Sequence, residues 1–431
     1  MDWQCVAEAA RRVSGAHPKR RVAVVVQRFG DGLLGGAEWH ARALIAALAG
    51  HHDVTVLTSC AADARTWSMH FEPGEQWVDN VRVRRFAHPL RNAQGRARVP
   101  RRHKLRFVFR RAIHWLGLPA VALPNGDDRY DGLEYLRRQG PHCSGLIDEL
   151  TAATTPYDVV IFMTALYFPT AVGLPAWGGR SILIPTLHDE KVMYLPWFHR
   201  VFAAAGLTLF NTTAERDLAH WLYPASAGDS RVVGAGVLVG RPSAELIAIT
   251  RERFRLPARY LVYVGRIEKG KGCADLLAAW QSIATQVPRA VLIFVGQGDF
   301  KVTESPQVRC SGFVSDTDRD ALVAGADALL MPSRNESLSL VLLEAFALGV
   351  PAVVNAGCAV LADHVRASGA GDACGTARQW RQAMLRSLER TPDERRRLGA
   401  CGRQYVEEQY SWDKVCASWF DAVERVTVEP N

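Results

Sequence analysis

The chain has 431 residues, of which 48% are hydrophobic and 22% charged, a composition that suits two folded domains and excludes a disordered chain. Its nine cysteines are scattered, with no CxxC pair and no matching histidine spacing, so neither a disulfide framework nor a zinc site is indicated. The net charge of +8 is local: twelve Lys/Arg and no Asp/Glu lie between Val81 and Arg111, and without those twelve, 40 basic residues face 44 acidic ones.

From the N-terminus, "MDWQCVAEAARRVSGAHPKRR" shows no apolar core of a signal peptide. No apolar run approaches the ~20 residues that span a bilayer. The expected compartment is the cytoplasm, with peripheral contact at the inner face of a membrane left open. "RVAVVV" (Arg21–Val26) reads as a buried parallel strand, followed by a glycine-containing loop and the helix "GGAEWHARALIAALAG" (Gly35–Gly50). On that helix Glu38 and His40 read as polar faces. "DVTVLTS" (Asp53–Ser59) is the next strand, and "YDVVIFM" (Tyr157–Met163), "SILIPT" (Ser181–Thr186) and "LTLFN" (Leu207–Asn211) continue the series. After a turn-rich stretch from about Pro224 to Arg241 a second cycle begins. "YLVYVG" (Tyr260–Gly265) is a strand and "CADLLAAWQSIATQ" (Cys273–Gln286) a helix. "AVLIFVGQGD" (Ala290–Asp299), "ADALLMPS" (Ala326–Ser333) and "PAVVN" (Pro351–Asn355) supply further strands. The order predicts an α/β chain of two Rossmann-like domains, with ligands at the C-terminal ends of the strands and in the cleft between the domains.

The stretch "PSRNESLSLVLLEAFALGVP" (Pro332–Pro351) carries the strongest chemical signal. A helix predicted from about Ser339 to Gly349 puts Glu336 in the loop before it and Glu344 inside it, up to ~12 Å apart at helical rise. The amides of the first turn lie between them and form a natural anion site. A nucleotide sugar, with hydroxyls at both ends and a diphosphate in the middle, matches this arrangement. A solvent-facing Glu344 and a plain helix-start Glu336 match the spacing equally well. Upstream, "GRIEKGKG" places Arg266 and Lys271 in a glycine-rich loop directly after a buried strand, where two fixed cations can neutralise a departing diphosphate without a metal. Lys269 adds a further cation to that loop. The Asp316–Asp318 pair in "SDTDRDAL" reads as a capped helix start, so no metal ligands are assigned.

Taken together, "GGAE", "HDE", "GRIEKGKG", "PSRNESLSLVLLEAFALGVP" and "YSWDKV" resemble, in this order, the motifs of glycosyltransferase family 4, from about Arg21 to Val426. The resemblance implies a retaining enzyme of the GT-B fold, with two Rossmann-like domains facing each other across a central cleft. It implies no cofactor beyond a nucleotide-sugar co-substrate, with a UDP-sugar favoured over a GDP-sugar, and a hexose or amino-hexose as the transferred group. Arg266 and Lys271 become diphosphate ligands, Glu336 the contact to the transferred sugar and Glu344 the contact to the ribose. Gly35 and Gly36 let the first loop approach the donor phosphate, and His188 falls where the family keeps an active-site histidine. Phe313 and Val314 border the base, or simply pack. Ser337 and Ser339 stand where the family often writes glycine, and with Leu338 they form the loop expected to donate amides.

The expected organisation is an N-terminal extension (1–20) and an acceptor domain (21–240) with a basic insertion around 81–124. A donor domain (241–405) follows, and a C-terminal helix (406–431) is able to pack back on the first domain. Within the insertion Arg101, Arg102 and Lys104 are candidates for contact with an anionic acceptor or membrane; a solvated insertion is the plainer reading. No nucleic-acid module accompanies the charge, so nucleic acid is not an expected partner. The acceptor is a small molecule, a glycan or a lipid-linked group. A nucleotide-sugar epimerase of the same fold and a non-catalytic nucleotide-sugar-binding protein are the alternative functions; donor turnover without acceptor separates the first from a transferase.

Overall fold

The computed structural model describes residues 3–15, 18–33, 35–64, 66–89, 101–118, 132–178, 180–224 and 228–428. The chain divides into two units: Asp2–Ala235 together with Asp413–Asn431, and Gly236–Trp412.

In the first unit the strands are β1 (Arg21–Val25), β2 (Asp53–Ser59), β3 (Gly74–Val78), β4 (Val81–Phe86), β5 (Val159–Met163), β6 (Ser181–Ile184), β7 (Leu207–Phe210) and β8 (Ser230–Val232). They form one sheet in the order β3-β4-β2-β1-β5-β6-β7-β8, parallel throughout except for the edge pair β3–β4. "RVAVV" and "VVIFM" carry apolar residues without alternation because both of their faces are covered; β1 is buried from Val22 onward and β5 throughout. Phe162, Leu183, Phe198, Phe202 and Phe210 belong to the core on this sheet.

Three features of this unit differ from the sequence reading. "VRVRRF", expected to open a basic insertion, is strand β4, with Val81, Val83 and Arg85 buried. Arg85 is a core cation: its Nη1 donates to the Phe29 carbonyl at 2.7 Å and its guanidinium lies 3.9 Å from the Phe71 ring centre. Glu38 and His40 are not solvent-facing. Glu38 is buried and accepts from Gln27 Nε2 at 3.0 Å and Arg28 Nη2 at 2.5 Å. His40 is stacked on Trp419, 5.8 Å between ring centres, and burial pushes its pKa down to about 4. The N-terminal residues form a helix, Trp3–Val13, that buries Val6, Ala9 and Ala10. Of the expected insertion, residues 90–100 and 119–124 lie outside the described residues.

The final helix, Trp412–Val428, joins the first unit from Asp413 onward. Phe420 meets the His51 ring edge-on at 5.6 Å, Glu424 pairs with Arg20 at 3.4 Å, and Asp413 with Arg12 at 2.6 Å.

The second unit holds β9 (Tyr260–Val264), β10 (Val291–Val295), β11 (Val308–Gly312), β12 (Ala328–Met331), β13 (Ala352–Asn355) and β14 (Gly371–Cys374). All pairs are parallel, in the order β11-β10-β9-β12-β13-β14. Successive strands are laid outward from β9 in one direction and then from β12 in the other. The strand order therefore reverses between β9 and β12, where a doubly wound sheet opens its ligand crevice. Trp280, Phe294, Leu330 and Val353 belong to the core around this sheet. Among the described residues, no helix is long and apolar enough to cross a membrane.

Candidate functional site

The loops leaving β9 and β12 meet at this reversal, and they carry Arg266, Lys271 and Glu336. Backbone bonds tie the first loop to its neighbour: Gly265 N–H donates to Val295 O at 3.0 Å and Ile267 N–H to Gln297 O at 2.9 Å. Two glycines permit this packing. Gly272 has a left-handed φ of +81°, and a Cβ there would sit 2.7 Å from Pro332 O; a Cβ on Gly298 would sit 2.1 Å from Ile267 O. Lys271 Nζ donates to Glu336 Oε1 at 2.8 Å, with both side chains mostly shielded from solvent. Arg266 is held differently. Its carbonyl accepts from the Tyr263 hydroxyl at 2.7 Å, while its guanidinium is two-thirds exposed and pairs with Glu268 at 3.2 Å. Asn355, at the end of β13, donates to Pro332 O at 3.0 Å and braces the second loop from the other side.

Beyond Glu336, Ser337 is half-buried, Leu338 is buried and Ser339 caps the helix Leu340–Ala347. Ser339 adopts φ +62°, a left-handed conformation that L residues with a side chain seldom take. Its Oγ is buried with no hydrogen-bond partner and makes no cap bond to the helix. Strain and an unsatisfied hydroxyl thus coincide at a helix N-terminus, the end that favours anions. The sequence reading missed the group that fixes this loop. His364 Nε2 donates to the Leu338 carbonyl at 2.8 Å, and its Nδ1 accepts from the Tyr405 hydroxyl at 2.9 Å. Burial holds the imidazole neutral, with a pKa pushed down to about 4.

Glu344 lies one turn inside the helix, and it is not solvent-facing: burial pushes its pKa up to about 7. Arg319, also missed in the sequence, stands 3.7 Å from its Oε1. That guanidinium is closer to Asp320, at 2.9 Å, and Asp316, at 3.0 Å, so it offsets only part of the desolvation. Asp318 is engaged by Arg253, and Ser315 caps the helix Asp316–Ala324 by accepting from Asp318 N–H. Asp316 and Asp318 are therefore both ion-paired to arginines. Phe313, after β11, is 64% exposed and Val314 half-buried.

The remaining candidates belong to the first unit. Gly35 caps the helix Gly36–Ala49 with an extended backbone, and a Cβ on Gly36 would meet open space. His188 follows β6, with Nδ1 3.5 Å from Glu190 Oε1 and about a third of its side chain exposed. The residue that positions its loop is Glu215. One carboxylate oxygen accepts from Leu187 N–H at 2.5 Å and the other from Asn211 N–H at 2.6 Å, joining the exits of β6 and β7. Burial pushes this carboxyl up to about 8, against the pull of those amides. Lys104 is exposed; the side chains of Arg101 and Arg102 lie outside the described residues. Lys271 and Glu336 are thus brought together, with Arg266 on the same loop and Glu344 on the helix that Ser339 caps, whereas Gly35, Gly36 and His188 sit on the other unit.

A family profile described as "Glycosyl transferases group 1" matches residues 248–405, which contain Arg266, Lys271, Glu336 and Glu344. The chain is 30% identical over 280 residues to the GDP-mannose-dependent alpha-(1-6)-phosphatidylinositol monomannoside mannosyltransferase of Mycobacterium tuberculosis, covering 56% of this chain and 69% of the relative. It is 31% identical over 172 residues to the glycogen synthase of the same species, covering 37% of this chain and 40% of the relative. Among solved structures, sucrose-phosphate synthase from Thermosynechococcus elongatus superposes with a TM-score of 0.64 at 18% identity, over 94% of this chain and 99% of that one, which shows a shared GT-B fold. With the paired loops at the strand reversal set in that fold, the chain belongs to the group 1 glycosyltransferases.

Proposed function

We propose that the chain is a retaining, metal-independent transferase of family 4 type that moves a hexose or amino-hexose from a nucleoside-diphosphate sugar to an acceptor hydroxyl. The observation that carries this reading is the 2.8 Å Lys271–Glu336 pair, set beside Arg266 at the switch between β9 and β12. Lys271 has two further N–H donors to offer a diphosphate while Glu336 keeps it in place. Arg266, already two-thirds exposed, exchanges Glu268 for phosphate oxygens. The amides heading the Leu340–Ala347 helix, with the unpartnered Ser339 Oγ, supply the neutral part of the cradle. These groups stabilise the charge that grows on the diphosphate as the sugar leaves. Glu344 takes the ribose hydroxyls and Glu336 orients the transferred ring. Retention then proceeds by acceptor attack on the face that the diphosphate vacates, with no carboxylate nucleophile.

The sequence reading favours a UDP-sugar, whereas the mycobacterial relative is named for GDP-mannose. That relative's name also supports a lipid-linked or glycan acceptor here. A thermal-shift panel of UDP-, GDP- and dTDP-sugars decides the base: a donor at about a hundred times its Kd adds ~2.7 kcal/mol of stability. The anomeric configuration of the product, read by NMR, decides the stereochemistry. An inverted product, or no shift with any of the three donor classes, refutes the reading.

A further inference from the structure

We infer that the helix Arg101–Trp115 is a docking surface for an anionic lipid bilayer. Leu105, Val108, Phe109 and Leu116, just past its end, are 68, 62, 53 and 62% exposed. Their spacing of i, i+3, i+4 and i+11 sets them on one face, with exposed Ala112 at i+7 completing the stripe.

The opposite face is already occupied. Phe107 and Ile113 are buried, and Phe107 meets the Tyr194 ring edge-on at 4.8 Å. Arg110 lies over the rings of Tyr194 and Trp221 at 5.6 and 5.3 Å, and the His114 ring is 4.7 Å from Trp221. The helix therefore has two apolar faces. One anchors it to the first unit and the other stands in water, where a contiguous apolar stripe marks an interaction surface.

Charge identifies the occupant. Leaving out the three arginines of strand β4 and the inward-turned Arg110 and Arg111, seven Lys/Arg and no Asp/Glu run from Arg91 to Arg106, before and along the helix. Exposed Lys104 precedes Leu105, at the edge of the stripe. A soluble anionic acceptor accounts for the charge but leaves the stripe unexplained. An apolar protein patch accounts for the stripe but leaves the charge unexplained. A bilayer with anionic headgroups accounts for both, with the helix lying in the interface.

The inner face adds a consequence. Arg111 Nε pairs with Asp189 Oδ2 at 2.9 Å, and the Tyr194 hydroxyl donates to Asp189 Oδ1 at 2.8 Å. The docking helix is thus bonded to the segment that begins with His188. A bilayer seated on its outer face lies close to that loop, where a membrane-borne acceptor hydroxyl can be presented. The docking itself stands independently of the donor assignment.

The test is flotation of the full chain, without donor, on phosphatidylcholine vesicles and on equimolar phosphatidylcholine–phosphatidylglycerol vesicles. Wild type is expected to float with the mixed vesicles alone and to be released by salt. Val108→Ser and Phe109→Ser, whose side chains leave no core, should each weaken binding on the order of tenfold, and Lys104→Ser about fivefold. Circular dichroism and an unchanged donor-induced thermal shift confirm the fold of each variant. Equal binding to both vesicle types, no binding to either, or wild-type binding by the Val108 and Phe109 variants overturns the inference.

Discussion

Glu344 offers a sharp test of the donor site, because its pKa of about 7 lies where assays are run. If its carboxylate accepts the ribose hydroxyls, the donor binds the ionised form, and protonation competes with binding. With a midpoint near 7, about ten-elevenths of the protein is ionised at pH 8 and about one-eleventh at pH 6, so donor Kd should rise about tenfold across that interval. The rise saturates where the protonated form binds by its remaining contacts, after loss of a charge-assisted hydrogen bond of about 1.5–3 kcal/mol, or ~10- to 150-fold. The sign for stability is separate. Burial raises this pKa above its ordinary 4.5, so the contribution is fully present below pH 4.5 and is lost as pH rises through about 7. Isothermal calorimetry with an intact nucleotide sugar is the assay, since its diphosphate diester has no group titrating in this range. Arg319→Gln removes the cation 3.7 Å away and should move the midpoint upward. Glu344→Gln should flatten the profile at the weak-binding limit. A flat wild-type profile, or one that survives in Glu344→Gln, refutes the ribose assignment; His364, at about 4, titrates below the window.

Glu336→Gln should lower kcat by ~10- to 100-fold with a smaller change in donor KM, measured by steady-state kinetics, because its partner Lys271 loses an anchoring charge beside the leaving group. Activity should survive EDTA; complete loss restored by added magnesium or manganese would show that the two cations do not suffice. Glu215→Gln turns an amide donor toward either Leu187 or Asn211 N–H, so thermal melting should show a loss of about 1–3 kcal/mol, while calorimetric donor affinity at the other unit stays unchanged. Ser339→Gly relieves the left-handed φ of +62° and should raise the melting temperature, by up to ~1 kcal/mol in stability, whereas Ser339→Val should lower it.

What the sequence disclosed follows from the range of the interactions involved. Buried parallel strands such as Tyr260–Val264 announce themselves because every residue faces apolar packing, so composition alone suffices. Strand β4 hides because arginine occupies positions on both of its faces. Val81, Val83 and Arg85 alternate with Arg82 and Arg84, and a buried arginine stacked on Phe71 looks in the sequence like any other surface cation. The same limit governs the site. Lys271 and Glu336 were legible because each sits in a short loop next to a strand end, so strand order nearly fixes their meeting. Glu38 and His40 were misread because the partners that bury them are Arg28 and Trp419, and the second of these lies in the last helix of the chain.

Arg319 apart, which faces carboxylates, the groups left out share one property: they act on backbone. His364 holds the Leu338 carbonyl and Glu215 holds two amides, so neither needs a recognisable partner residue. His364 lies 26 residues from the carbonyl it holds, Glu215 ties Leu187, 28 residues upstream, to its near neighbour Asn211, and each is buried where an ionisable group is costly. That cost is the argument for their role. A phenylalanine could fill the His364 site and pack against Tyr405, but it would leave the Leu338 carbonyl without its donor, at about 1–3 kcal/mol. Because Leu338 precedes strained Ser339, the lost bond falls on the residues that set the helix N-terminus. His364→Phe should therefore weaken donor binding in calorimetry as well as lower the melting temperature. The wild-type imidazole makes the same point through pH. Its folded pKa of about 4 lies below the ordinary 6.5, so its stabilising contribution is present above pH 6.5 and is lost as pH falls toward 4. A variant that melts earlier yet binds donor as wild type would separate the histidine from the site and reduce it to a packing residue.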